Sequence, residues 1–88
     1  MVERIVRLCN RRGLHARASA RFVTLASTQK AEVEVEKDGS TVCGTSIMGL
    51  MMLGAAMGDT IVIRAEGDGA EEAVAALTLL VEQGFGEE

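Results

Sequence analysis

Residues 11–19 read RRGLHARAS and hold His15, the only histidine of the chain, behind Arg11 and Arg12 and two residues ahead of Arg17. An imidazole titrates near neutrality, so a ring nitrogen with a free lone pair is available as a nucleophile under cellular conditions. The residues that follow have helical spacing, which predicts that His15 sits at a helix N-terminus. The first amides of a helix lack intrahelical partners and its dipole is positive there, so an anion carried on the ring would meet free donors. Phosphate suits that geometry. Arg17, in the first turn, presents a planar fork that can make two charge-assisted hydrogen bonds to phosphate oxygens. Gly13 permits the tight approach that exposes the ring.

Chemistry alone leaves two other readings of His15 open, a helix-capping residue and a plain surface residue. A metal site fits less well than either, because one histidine without nearby carboxylates or thiolates cannot complete a coordination shell. Cys9 and Cys43 are far apart in sequence, with neither a CxxC pair nor a neighbouring histidine, and are expected to be buried free thiols. No metal or other cofactor is implied.

Charge is divided unevenly along the chain. Residues 1–30 carry seven basic residues and one acid, whereas residues 31–88 carry two basic residues and twelve acids, so the net charge of -4 conceals a basic third gathered around His15. Such a division marks either a solvated face or a surface for an anionic partner. No apolar run approaches the roughly 18 residues that span a bilayer, and the N-terminus MVERIVRLCN is too charged for a signal peptide. A cytoplasmic protein with no membrane contact is expected. Phe22 and Phe85 are the only aromatics, which leaves no stacking platform for a basic-faced nucleic-acid-binding module.

The elements that must position His15 follow from periodicity. Val2, Val6 and Leu8 share one face of a first strand, with Arg4 the exception. Ala18, Phe22, Leu25 and Ala26 form the apolar stripe of a helix from Ala16 to about Ser27. AEVEVEK, residues 31–37, alternates strictly, and Asp38-Gly39 supplies a hairpin turn into STVC, residues 40–43. Thr45 or Ser46 can cap a short helix from about Ile47 to Leu53, which Gly54 ends. TIVIRAE is a fourth strand from Thr60 to Glu66. Asp68 with Glu71 has capping-box spacing ahead of a last helix whose stripe is Ala70, Ala73, Val74, Leu77 and Val81 and which Gly84 closes.

The order β-α-β-β-α-β-α predicts an α+β, open-faced β-sandwich: a four-stranded antiparallel sheet with three helices on one face, forming a single domain over residues 1–88. In the stretch IMGLMML, residues 47–53, apolar residues run all round except at Gly49, more than so short a helix can hide. Leu50 and Leu53 are expected to face the core, and Ile47, Met48 and Met51 to form an exposed patch suited to differently shaped partners.

GLHARASARFV closely resembles the active-site segment of the HPr family, the histidine-containing phosphocarrier proteins of the phosphoenolpyruvate-dependent phosphotransferase system. TSIMGLMMLGAAMGD resembles the family's second signature, and the resemblance covers essentially the whole chain. It implies a phosphoryl relay with a covalent phosphohistidine, not a stand-alone enzyme. His15 would be phosphorylated on Nδ1 by enzyme I, with Arg17 as electrostatic partner, and would pass the group to a IIA-type acceptor protein. It also implies that the second helix docks both partners, through Ile47, Met48 and Met51, while the arginines near His15, including Arg12 and Arg21, draw acidic partner surfaces. Ser46 corresponds to a regulatory phosphorylation site that an HPr kinase modifies in some bacteria. A monomer is expected.

Two positions depart from the family pattern. Many members have proline where this chain has Ala18, which alters local stiffness rather than chemistry. Arg12 replaces a small polar residue, and its added charge favours the phosphorylated form. The tail VEQGFGEE resembles the nitrogen-related branch of the system, and sugar-related and nitrogen-related service both stay open. A regulatory HPr-like protein, whose phosphorylation state is read by binding targets, keeps the same fold and site.

Overall fold

Alternation in four segments builds the sheet. In the computed structural model, which describes residues 1–87, the strands are β1 (Val2–Arg7), β2 (Glu32–Lys37), β3 (Ser40–Cys43) and β4 (Thr60–Glu66). All neighbours are antiparallel in the order β1-β4-β2-β3, so the first and last strands of the sequence pair at one side of the sheet. The register sets Val6 opposite Ile61, and Val35 opposite Ile63, on the buried face. The other face meets water, as the glutamates of β2 predict. There Arg64 donates from Nε to Glu3 at 2.8 Å and from Nη2 to Glu36 at 2.7 Å, tying three strands together. Asp38 and Gly39 both take positive φ, 51° and 86°, the backbone that a two-residue hairpin demands.

Three helices, α1 (Ala16–Ser27), α2 (Ile47–Met52) and α3 (Ala70–Glu82), cover the apolar face. The α+β open-faced arrangement is the one expected. Helix α1 buries Ala18, Phe22 and Ala26 as its stripe predicts, with Leu25 only half-buried. Ser19 is also fully buried, and its hydroxyl is satisfied by donating to the Leu14 carbonyl at 3.2 Å. Helix α3 packs on β1 and β4 through the predicted stripe, joined by Thr78.

The start of α3 differs from expectation. Gly69, left-handed at φ 78°, occupies the cap position, and no side chain caps the helix. Gly67 at φ 100° swings the chain so that Asp68 is exposed while the Gly67 and Gly69 carbonyls take up the Ala70 and Ala73 amides. Glu71 and Glu72 in the first turn complement the helix dipole instead.

Its end falls where Gly84 was expected to close it, that glycine taking φ 63° just past the Gln83 cap. The helix stops at Glu82, and a short 3₁₀ turn, Gly84–Gly86, carries Phe85 at φ 58° with its ring wholly buried. That turn sends the C-terminal segment back over the β1–α1 loop. Both cysteines are exposed, which corrects the expectation of buried thiols. Cys43 pairs in register with Glu34 and so lies on the wet face of an edge strand, and Cys9 follows the last buried residue of the first segment, Leu8. Among the described residues no helix is long and apolar enough to cross a membrane.

Candidate functional site

The loop between β1 and α1 is pinned at Gly13. This residue takes φ 61°, and a Cβ there would run into the Ala55 carbonyl, the same oxygen that accepts the Leu14 amide at 3.0 Å. Any side chain at this position would push the loop away from the segment that follows α2. Leu14 is consequently buried and His15 is set at the helix N-cap, extended at φ -76° and ψ -178°. Its carbonyl accepts the Ser19 amide at 2.9 Å, the first bond of the helix. Its Nδ1 accepts the Arg17 backbone N–H at 3.2 Å. The ring therefore caps the helix and aims one nitrogen at the free amides, which joins two of the readings that chemistry left open.

The other nitrogen has a partner that the sequence did not suggest. Nε2 of His15 lies 2.6 Å from Oε2 of Glu87, and Oε1 of the same carboxylate accepts from Nδ2 of Asn10 at 3.0 Å. Asn10 is buried and its Nδ2 also donates to the Gly13 carbonyl at 2.9 Å, so it cannot turn without losing both bonds. The Asn10 N–H, and after it the hydrogen bond and charge of His15, hold the Glu87 carboxyl below the usual carboxylate range. The side chains of His15 and Glu87 are 18% and 19% exposed, enough for a reacting group to reach the ring. The buried Phe85 ring anchors the segment that brings Glu87 here, and Arg21 clamps it by donating from Nη1 to the Phe85 carbonyl.

Arg17 is exposed in the first turn, and its guanidinium makes no ion pair among the described residues. Arg12 is likewise exposed, whereas Arg21 is engaged with the C-terminal segment. Ser46 caps α2 by accepting the Gly49 amide on Oγ at 3.0 Å, while the alternative cap, Thr45, points its hydroxyl at the Cys43 sulfur. Leu50 is fully buried beneath α2 and Leu53 half-buried. Ile47, Met48 and Met51 are exposed. Met52, at 79%, is more exposed than any of them, and Met57, in the loop after α2, is exposed as well. Helix α1 packs against α2, so the histidine end of α1 and the methionines belong to adjoining elements. Sequence reasoning missed Asn10, Glu87 and Met52. Only Met52 carried a signal, as part of a run that is apolar on every side.

Comparison with known proteins places this arrangement. The family model PTS-HPr, described as the PTS HPr component phosphorylation site, matches residues 2–83. The phosphocarrier protein HPr of Neisseria meningitidis serogroup A is 48% identical over 87 residues, covering 99% of this chain and 98% of the relative. The phosphocarrier protein NPr of Shewanella violacea is 38% identical, covering 98% and 94%. The crystal structure of HPr-C-His from Thermoanaerobacter tengcongensis superposes with a TM-score of 0.95 at 46% identity, over 100% of this chain and 99% of that one. A fold, a signature histidine segment and near-complete coverage at these identities lead to one conclusion: the chain belongs to the HPr family, the phosphocarrier proteins of the phosphotransferase system.

Proposed function

We propose that the chain, as a single domain over residues 1–88, accepts a phosphoryl group from phosphorylated enzyme I on Nδ1 of His15 and passes it to IIA-type acceptor proteins. The carrying observation is the position of Nδ1, on a partly exposed ring, 3.2 Å from the Arg17 amide at a helix N-terminus. A phosphoryl group bonded there would exchange the nitrogen lone pair for anionic oxygens facing the same amides and the free Arg17 fork. Its charge is met by donors already in place, which makes the phosphorylated state accessible without making it a sink.

The partners dock on the exposed surface of Ile47, Met48, Met51 and Met52, with Arg12 and Arg17 meeting acidic rims. Ser46, at the start of the same helix, is the site through which an HPr kinase would weaken that docking. The protein works as a monomeric, cytoplasmic relay without a cofactor, turning nothing over by itself.

Incubation with phosphoenolpyruvate, magnesium and enzyme I, followed by intact mass, tests the reading. One added phosphoryl group, labile in acid and stable in base, is expected on the natural chain and none on His15→Ala. No mass gain, or an acid-stable one, would overturn it.

A further inference from the structure

We infer that Glu87 is a positioning residue for phosphoryl transfer: its carboxylate holds the proton of His15 on Nε2 and so leaves Nδ1 as the nucleophile. The inference rests on the reading of His15 as the phosphoryl acceptor and adds to it a residue from the opposite end of the chain.

What each contact can accept or donate fixes where the proton sits on the ring. An ionised carboxylate only accepts hydrogen bonds, so the 2.6 Å contact to Oε2 requires a proton on Nε2. A backbone N–H only donates, so the Arg17 contact at 3.2 Å requires a lone pair on Nδ1. The two contacts select the same neutral tautomer from opposite edges of the ring. Of the two, the carboxylate contact is the shorter and the charge-assisted one, and it dominates the choice. Glu87 is in turn oriented by Asn10 through its other oxygen, so imidazole, carboxylate and amide form a chain in which each group fixes the next.

The consequence for the reaction is local. As the Nδ1 lone pair forms the bond to phosphorus, the donor's bond to phosphorus breaks and its pair stays on the donor atom. Nε2 keeps its proton, and the ring gains positive character that the Glu87 carboxylate faces directly. Discharge to an acceptor reverses these changes. The carboxylate touches the far nitrogen rather than the reacting one, so its role is to orient the ring and to stabilise its charge. The C-terminal turn, with Phe85 buried and Arg21 clamping its carbonyl, exists in this reading to deliver that carboxylate.

Glu87→Gln and Glu87→Ala separate this role from mere packing. Asn10 can only donate toward residue 87 without losing its bond to Gly13, so a glutamine must turn its oxygen to Asn10 and its amide –NH2 to Nε2. That favours the tautomer with the proton on Nδ1, where no lone pair remains. Alanine only removes the preference, and the Arg17 amide still supports the productive form. Ring ¹⁵N shifts of neutral His15 are therefore expected to show Nε2–H in the natural chain, a mixture in Glu87→Ala and a swing toward Nδ1–H in Glu87→Gln. Initial rates of phosphorylation by enzyme I should fall in the order Glu, Ala, Gln. The glutamine variant should be slower by about tenfold or more, short of the roughly 10⁴ lost where such a carboxylate is fully buried. A natural chain whose neutral ring carries its proton on Nδ1 overturns the inference, as do glutamine and alanine variants with unchanged ring shifts or unchanged rates. Failure of the natural chain itself to accept phosphate would instead overturn the carrier reading, so the two failures are distinct.

Discussion

Nδ1 of His15 accepts the backbone N–H of Arg17 at 3.2 Å, while the guanidinium of the same arginine reaches no ion-pair partner among the described residues. In the proposed relay, backbone and side chain of one residue would serve different states: the amide orients the resting ring, and the fork is free to meet the charged one. Arg17→Ala should leave the amide and the fold intact and remove the fork. Loss of a charge-assisted hydrogen bond worth about 1.5–3 kcal/mol corresponds to roughly a 10- to 150-fold slower transfer. Stopped transfer assays in both directions check this, with urea unfolding expected to move by less than about 0.5 kcal/mol, as for an ordinary surface substitution.

Helix α2 divides its apolar residues between a buried and an exposed side, and substitution should separate the core from the proposed docking surface. Met48→Glu and Met52→Glu change side chains that are 68% and 79% exposed, so stability should hold while affinity for enzyme I falls. Leu50→Ala, beneath them and fully buried, should cost about 2–5 kcal/mol. Titration calorimetry with enzyme I and urea unfolding of the same three proteins distinguish the roles. Equal loss of stability in all three would make the methionines part of the core.

Cys43 and Cys9 are both exposed yet differ in environment. The hydroxyl and backbone N–H of Thr45 stabilise the Cys43 thiolate and lower its pKa, outweighing burial and the nearby Glu32 and Glu34. Cys9 instead directs its S–H to the Val81 and Glu82 carbonyls at 3.5 Å. Iodoacetamide at neutral pH should therefore label Cys43 first, as peptide mapping after brief exposure would reveal. Thr45→Val should slow that labelling, since it removes the hydroxyl and retains the shape.

What was legible in the sequence was the part encoded by short-range pattern. The alternation of AEVEVEK and the Asp38-Gly39 turn specify the β2–β3 hairpin because strand period and turn backbone are local properties. The excess of apolar residues around Leu50 announced an exposed surface because a six-residue helix has too little hidden face. Asp68 misled because its spacing to Glu71 fits a capping box, while two left-handed glycines around it chose another entry to the helix. Glu87 was illegible for a different reason. Its partner stands 72 residues away, and an acidic C-terminal residue looks the same in solvent or against an imidazole until the buried Phe85 turns the chain.

Ser46 combines a structural task with a position beside the proposed docking surface. Its Oγ accepts the Gly49 amide at 3.0 Å, which makes it the N-cap of α2. Ser46→Ala should cost about 1 kcal/mol, the usual value of such a cap, and transfer phosphate at a near-normal rate. Ser46→Asp retains an acceptor for the Gly49 amide and places negative charge where the helix N-terminus favours it, so the fold should be as stable as the natural one. Docking is where the charge acts. The next two residues are the exposed Ile47 and Met48, and a partner surface that closes over them must strip water from the new carboxylate. An acidic partner drawn to Arg12 and Arg17 would also be repelled. Ser46→Asp is accordingly expected to accept phosphate from enzyme I roughly tenfold more slowly through weaker binding, a difference of about 1.4 kcal/mol that appears in KM rather than kcat. Comparison of both constants for the serine, alanine and aspartate proteins, beside their urea midpoints, checks the division. An aspartate protein with unchanged KM would leave Ser46 with the capping role alone.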